Sequence, residues 1–142
     1  KKKPYANWYF EIQPVTPLFS VNSILDFVNY TKESNANLIT TITENNLEQF
    51  YIDRGQLNAI NFDPKTKLNS QDLRPVMLAN WAISARRGSY YTKFQSSDDI
   101  PFIPKSFDTK TINKYEALTI KFEQDFKYLQ RLFSPQEVFT SK

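Results

Sequence analysis

The chain contains no His and no Cys, and only two Gly among its 142 residues. The absence of His and Cys excludes His-dependent acid–base catalysis, Ser-His-Asp and Cys-His nucleophilic sites, and imidazole or thiolate metal centres. The scarcity of Gly excludes a Gly-rich phosphate-binding loop. Without Cys the fold has no disulfide, which is compatible with any compartment. These absences favour a binding protein over an enzyme.

The chain also lacks a long apolar run, since none approaches the ~20 residues that a membrane span needs. No secretory signal is visible. Apolar residues make up 40% of the chain and aromatic residues 15%, with twelve Phe and eight Tyr. Such a composition predicts a folded protein rather than a disordered one, and the length fits one domain. A cytoplasmic location is favoured, and an extracytoplasmic domain that follows a membrane anchor stays open.

Positive charge is concentrated at the start of the chain. The formal net charge is +3, and Lys1, Lys2 and Lys3 account for it, because the other fifteen Lys and Arg balance fifteen Asp and Glu. We predict a basic flexible tail over residues 1–4 and a single globular domain over residues 5–142. A neutral body disfavours nucleic-acid binding through a broad basic face. The Lys run is interpreted as a solvated tail, as the flank of a removed membrane segment, or as a binding arm.

Periodicity and turn residues predict eight secondary-structure elements. Ser23 is the predicted cap of the first helix, Asp53-Arg54-Gly55 predicts a hairpin loop built on a type I turn, and Pro75 is the predicted first residue of a second helix. In chain order the predicted elements are a strand at 8–12, a short helix ending near 33, strands at 38–43, 47–52 and 57–62, a buried helix at 75–86, a strand at 90–94 and a long amphipathic helix at 112–134.

This order predicts an α+β domain with an antiparallel sheet of four to five strands. The three strands between Leu38 and Phe62 are expected to form a meander, because short turn-forming segments separate them. A short N-terminal helix, a buried middle helix and a long C-terminal amphipathic helix complete the predicted fold.

Basic and aromatic residues alternate in the segment that runs from Arg86 to Phe94. Such a mixture is able to hold phosphates and stack bases, which makes Arg86, Arg87 and Lys93 the candidate contacts for nucleic acid or another anion. The simpler interpretation is a helix C-terminus with favourable charges, followed by a half-buried strand. A protein contact through Tyr90, Tyr91 and Phe94 is the third interpretation.

The last predicted helix carries a seven-member apolar stripe. Such a stripe usually packs on the core. If the helix extends beyond the sheet, Tyr115, Phe122 and Phe126 would form a docking face or a dimer seam. The candidate partner is therefore another protein or a second copy of the chain, with nucleic acid as the alternative and a membrane contacted only through a segment outside this chain.

Residues that would support catalysis show no recognisable pattern. The carboxylates are scattered and lack the spacing of a Ca²⁺ loop or of a sequence-recognisable catalytic pair. Ser, Thr, Tyr and Lys are plentiful, but neither a G-x-S-x-G pattern nor a P-loop is present. The sequence therefore predicts no catalytic residues, no cofactor and no metal site.

The segment Phe50-Tyr51-Ile52-Asp53-Arg54-Gly55-Gln56-Leu57-Asn58-Ala59 resembles the hairpin of the PATAN domain family. The stretch from Pro17 to Val28 is similar to the opening helix of that family, and Leu73-Arg74 and Trp81 fall where the family often has a Leu/Arg-rich helix and a Trp. The resemblance covers residues 17–94. The Gly that usually precedes the first hairpin strand is absent, and Ala36-Asn37 stand there. The resemblance implies protein–protein interaction within a bacterial signalling protein and carries over no catalytic residue.

The function expected from the sequence is a non-catalytic protein-interaction module of a larger assembly or signalling protein. Two alternatives stay open: a domain that binds nucleic acid or an anionic surface, and an extracytoplasmic domain of a membrane-anchored transport or secretion component.

Overall fold

The computed structural model describes residues 6–66, 69–95 and 100–133, and it is a mixed α/β fold. The elements are β1 (Trp8–Ile12), α1 (Val21–Glu33), β2 (Leu38–Asn45), β3 (Phe50–Asp53), β4 (Gln56–Ala59), β5 (Val76–Arg87), α2 (Gly88–Phe94), β6 (Phe107–Thr111) and α3 (Glu123–Phe133), with a short 3₁₀ turn at Ser70–Asp72. The predicted basic tail lies outside the described residues. None of the described helices has the length and apolar character of a membrane span.

Four strands form the main sheet in the order β1-β5-β2-β6, and β3 and β4 form a separate two-stranded sheet. The main sheet has four strands, within the four to five predicted, but it is not purely antiparallel, because β2 and β6 run parallel. The predicted three-strand meander is wrong. β2 pairs with β5 and β6, and only the hairpin of β3 and β4 forms as expected. Long-range pairing of β2, which local turn residues do not encode, decides this topology.

The predicted buried middle helix at 75–86 is wrong, since this segment is the central strand β5. β5 pairs with β1 on one side and with β2 on the other. A short apolar run such as that in residues 76–83 does not distinguish a strand from a buried helix by periodicity alone. Ala82, Ile83 and Ala85 are all buried in the sheet.

β5 contains an irregularity opposite Thr41. Thr40 pairs with Ser84, but Ile42 pairs with Ala79, so four residues of β5 face one residue of β2. Trp81 lies in this bulge with a φ of 56°, a conformation that bulky residues rarely adopt. The Thr41 hydroxyl donates to the Asn80 side-chain oxygen at 2.6 Å, which fixes the bulge to β2.

Helix α1 covers one face of the sheet. Its N-cap is Ser20 rather than the predicted Ser23, because the Ser20 hydroxyl accepts a hydrogen bond from the Ser23 backbone N–H at 3.1 Å. The predicted helix end near Glu33 is confirmed. Phe27 is fully buried between α1 and the sheet. The core cluster on this face consists of Phe27, Ala36, Ile39, Ile83 and Ala85.

Glu116 supplies the negative charge that the first turn of α1 lacks. Its carboxylate accepts a hydrogen bond from the Ser23 hydroxyl at 2.6 Å and one from the Ser20 backbone N–H at 3.3 Å. Burial raises the pKa of Glu116, but the hydrogen bonds from Ser20 and Ser23 outweigh it and hold that pKa below its usual value. The carboxylate therefore completes the cap of a helix that is distant in the sequence.

The elements after β5 differ from the prediction. Residues 90–94, predicted as a strand, belong to α2, which begins at Gly88. β6 lies just before the predicted final helix, which begins at Glu123 rather than at Ile112. Asp125 explains the later start, since its carboxylate accepts hydrogen bonds from the backbone N–H groups of Lys121 and Phe122, both at 2.9 Å.

Candidate functional site

The face of the sheet that lies opposite α1 carries polar side chains where β1 and β5 pair. Tyr9 pairs with Arg86, and Glu11 pairs with Ser84, so these four side chains share one face. Tyr91 reaches the same region from α2. Together they line a cavity of about 240 Å³, here called the Arg86 cleft, whose wall consists of Tyr9, Phe10, Glu11, Ser84, Arg86 and Tyr91.

Arg86 is the buried cation of this cleft. Its side chain is only 5% exposed. One guanidinium N–H donates to the backbone carbonyl of Phe102 at 3.0 Å, and the guanidinium carbon lies 4.5 Å from the centroid of the Phe102 ring. Burial lowers the pKa of Arg86, and the nearby Tyr90 and Glu11 partly oppose that shift. An arginine stays protonated in proteins, so the cleft contains a fixed positive charge.

One aromatic contact holds α2 against this face, and hydrogen bonds fix its two tyrosines. The rings of Tyr9 and Tyr91 are stacked, with centroids 4.3 Å apart. The Gln95 side-chain amide donates to the Tyr91 hydroxyl at 2.7 Å, and the Tyr90 hydroxyl donates to the carbonyl of Pro101. The stacked pair therefore forms a rigid aromatic wall beside Arg86.

The polar groups of the cleft are suited to binding a phosphate. A guanidinium group forms paired, charge-assisted hydrogen bonds with phosphate oxygens, and these bonds strengthen when water is excluded. The hydroxyl groups of Ser84 and Tyr91 are further donors of the right type. Glu11 accepts a hydrogen bond from the Gln13 side chain at 3.0 Å and provides an acceptor at the rim. Among residues 6–66, 69–95 and 100–133, no group of three or more Asp and Glu could hold a metal ion.

The predicted basic cluster is divided between the two faces of the sheet. Arg87 points away from Arg86, because successive residues of a strand face opposite sides. Its guanidinium donates to the carbonyl of Ser34 at 2.7 Å and to that of Ala36 at 3.1 Å, and it lies over the Trp8 ring. Arg87 thus connects β5 to the end of α1, whereas Lys93 is exposed on α2.

The predicted aromatic site residues fall into different places. Tyr90 and Tyr91 belong to α2 beside the cleft, as does the backbone of Phe94. Tyr115 and Phe122 precede α3 and are largely exposed, so they do not continue a stripe with Phe126. Phe126 instead contributes to an apolar groove of about 290 Å³ lined by Pro17, Leu18, Ile120, Phe126, Leu129, Gln130 and Phe133.

Sequence reasoning missed Tyr9, Glu11 and Ser84 as site residues. The signal was present, since Tyr9 and Glu11 alternate with the apolar Trp8, Phe10 and Ile12 along β1. Recognising Ser84 required residues 76–87 to be interpreted as a strand.

Comparisons with known proteins identify a structural similarity only. No family model matches the chain, and no curated protein matches it. A solved structure described as 4-diphosphocytidyl-2C-methyl-D-erythritol synthase from Anaerococcus prevotii is similar with a TM-score of 0.61 and 14% identity over 94% of this chain. The chain spans 60% of the length of that protein. The similarity shows the fold, and the resemblance to the PATAN family stays a prediction.

This similarity corrects the predicted function. The chain shares its fold with an enzyme, so the predictions of a non-catalytic interaction module and of a protein that is not an enzyme are wrong. The absence of His and Cys does not exclude every class of enzyme. Phosphoryl transfer requires positioning and charge stabilisation more than a nucleophilic side chain, and arginine supplies that charge.

Proposed function

We propose that this protein is an enzyme that acts on a nucleotide, and that the Arg86 cleft holds the phosphate end of the substrate. The observation that carries the proposal is the buried guanidinium of Arg86 beside the hydroxyl-bearing side chains of Ser84 and Tyr91. A cation in this position favours an anionic ligand group, and a phosphate matches both the geometry of the guanidinium group and its charge.

The rest of the cleft would select a nucleotide over a bare phosphate. The stacked rings of Tyr9 and Tyr91 form an aromatic surface against which a base could lie. The carboxylate of Glu11 would repel a compact multiply charged anion and accept a hydrogen bond from a sugar hydroxyl or a base amino group. At about 240 Å³ the cavity is smaller than pockets that enclose a drug-sized ligand, so part of the nucleotide would project into solvent.

The similarity in fold supports this proposal. The neighbouring structure carries a name with a diphosphocytidyl group, which is a nucleotide fragment. In the proposed mechanism a phosphate oxygen of the acceptor attacks the α-phosphorus of a nucleoside triphosphate while the bond from that phosphorus to pyrophosphate breaks. Arg86 binds and orients the reacting phosphate and stabilises the negative charge that develops on its oxygens. Ser84 and Tyr91 would donate hydrogen bonds to the same oxygens.

Calorimetric titration of the protein with CTP, ATP and inorganic pyrophosphate tests the proposal. We expect a nucleotide to bind more tightly than pyrophosphate. The Arg86→Lys variant keeps the charge but loses the planar fork, so nucleotide affinity should fall by about tenfold or more. The matched control is Arg74→Lys, because Arg74 is exposed and lies outside the cleft. The Arg74→Lys variant should bind the nucleotide with the same affinity as the unmodified protein.

Circular dichroism establishes that each variant is folded before its affinity is interpreted. The proposal is contradicted if the folded protein binds no nucleotide, or if the two lysine variants lose affinity equally. Release of pyrophosphate from the bound nucleotide, in the presence of a mixture of phosphorylated polyols, tests the catalytic part. Binding without any turnover across the mixture would reject the proposed enzyme.

A further inference from the structure

The hairpin of β3 and β4 stands apart from the main sheet and exposes an apolar face. Its two strands pair only with each other among the described residues. Phe50, Ile52 and Leu57 share one side of the hairpin with Ala59, and Ile52 and Leu57 are 73% and 65% exposed. The other side carries Tyr51, Asp53, Gln56 and Asn58.

A hairpin with this exposure requires additional contacts. Two-stranded hairpins are marginally stable in water, and independent stability needs at least a third strand or a packed face. An exposed strand edge next to an apolar face is also a template for pairing with another strand. The hairpin therefore has the features of an interaction surface.

The free edge of β3 presents the backbone groups of Phe50 and Ile52. The turn consists of Arg54 and Gly55, so the closing pair of Asp53 and Gln56 exchanges hydrogen bonds. Pairs in an antiparallel ladder alternate between bonded and non-bonded, which leaves Phe50 and Ile52 with their N–H and C=O groups directed outward. The bond from the Ile60 N–H to the Gln49 carbonyl at 2.9 Å agrees with this alternation.

We propose that β3 pairs with β3 of a second copy of this chain, in an antiparallel register centred on Tyr51. In this register Phe50 lies opposite Ile52 of the second copy, and both residues present outward backbone groups. Glu48, just before β3, then comes opposite Arg54, the first turn residue after β3, and the two-fold axis repeats this pairing at the other end. Glu48 and Arg54 are both exposed, and their opposite charges make the edge complementary to itself.

The resulting sheet would contain four strands in the order β4-β3-β3-β4. The apolar faces of the two hairpins would then be continuous, which places Phe50 and Ile52 of each copy in one cluster. Neither hairpin would keep an unpaired β3 edge, so the liability of an exposed edge strand is removed. A second copy satisfies both the charge pattern and the backbone pattern, and we commit to it as the partner.

A charge-reversal cycle tests the proposed dimer. Sedimentation equilibrium over a range of protein concentrations gives the dimer dissociation constant for the unmodified chain, Glu48→Lys, Arg54→Glu and the double variant. The dimer contains two Glu48–Arg54 pairs, and each single reversal converts both of them into pairs of like charge. The dissociation constant should therefore rise about tenfold or more. The double variant restores opposite charges and should return to within about threefold of the unmodified chain.

Phe126→Asp provides the control, because Phe126 lies in the apolar groove beside α3 and not on the hairpin. It should leave the dissociation constant unchanged. Thermal unfolding of each variant establishes that the fold is intact. A protein that is monomeric at all concentrations overturns the proposal and leaves the edge for a strand of another protein. A dimer that responds to Phe126→Asp but not to the charge cycle overturns it as well.

Discussion

Adjacent residues of β5 have different structural roles. Arg86 and Arg87 are consecutive, yet one lines a cleft and the other connects the sheet to the end of α1. The alternation of a strand is the cause, since neighbouring side chains are directed to opposite faces. From the sequence, both arginines were predicted to belong to one candidate anion site, because the segment was interpreted as the end of a helix. The distinction depended on a strand assignment that local periodicity did not favour.

The contribution of Glu116 to stability should depend on pH. Its pKa is lowered in the folded state, so its contribution to stability is present above the ordinary carboxyl pKa and is lost as the pH falls through the folded value. Glu116→Gln should therefore lower the free energy of unfolding by about 1 kcal/mol at pH 7, a value that allows for partial solvent screening. At pH 3 the difference between variant and unmodified protein should shrink.

Urea unfolding at pH 7 and at pH 3 measures both values. Glu123→Gln is the control, because the Glu123 carboxylate forms a solvent-exposed ion pair with Lys127 at 2.6 Å. Such pairs contribute little. An equal loss in the two variants, or a loss for Glu116→Gln that does not depend on pH, would show that the link to α1 has no electrostatic part.

Among the elements, the hairpin was the one most directly encoded by local sequence. Gly55 adopts a φ of +79° and Arg54 a φ of 48°, so the turn has two residues in the left-handed region rather than the predicted type I turn. The hairpin itself was predicted because Gly marks such turns. Strand β5 and helix α2 were mispredicted because their conformations depend on distant partners. β1 and β2 pair with β5, and Tyr9 stacks against Tyr91 of α2.

Gly55→Ala should destabilise the hairpin locally. A Cβ at this position meets no atom within 4 Å, so the cost comes from the backbone conformation alone, at about 1 kcal/mol. Amide hydrogen exchange in β4 should become faster, and global unfolding should change little, because the hairpin is separate from the main sheet. Gly55→Asn should retain most protection, since Asn tolerates the left-handed region. Unchanged exchange in the alanine variant would contradict the assigned turn.

On the scale of the whole molecule, the sheet has one face that stabilises the fold and one that carries the cleft. The apolar core lies between α1 and the sheet, whereas polar side chains gather on the opposite face. Composition predicted a folded protein, and the described residues contain a buried core. It did not predict which face would be polar, because Tyr9, Glu11, Ser84 and Arg86 come together only when β1 and β5 pair.

Phe27 and Phe122 are a matched pair of positions for testing whether the core lies between α1 and the sheet. Phe27 is fully buried and Phe122 is 72% exposed. Phe27→Ala should lower the free energy of unfolding by about 3–5 kcal/mol, because it removes buried apolar surface and leaves a cavity. Phe122→Ala should change it by less than about 1 kcal/mol. Denaturant unfolding measures both, and comparable losses would place the core elsewhere.

The bulge opposite Thr41 has a consequence for the length of the chain. Four residues of β5 lie opposite one residue of β2, an excess of three residues. Because three is an odd number, the alternation of side chains between the two faces of the sheet is reversed from one half of β5 to the other. The half that carries Ser84 and Arg86 and the half that begins at Val76 are thus set in opposite phase. Adding or deleting one residue between Asn80 and Ile83 would invert one half relative to the other, whereas a change of two residues would preserve the phase. Insertions or deletions in this bulge should therefore be tolerated when they change its length by two residues, and not when they change it by one.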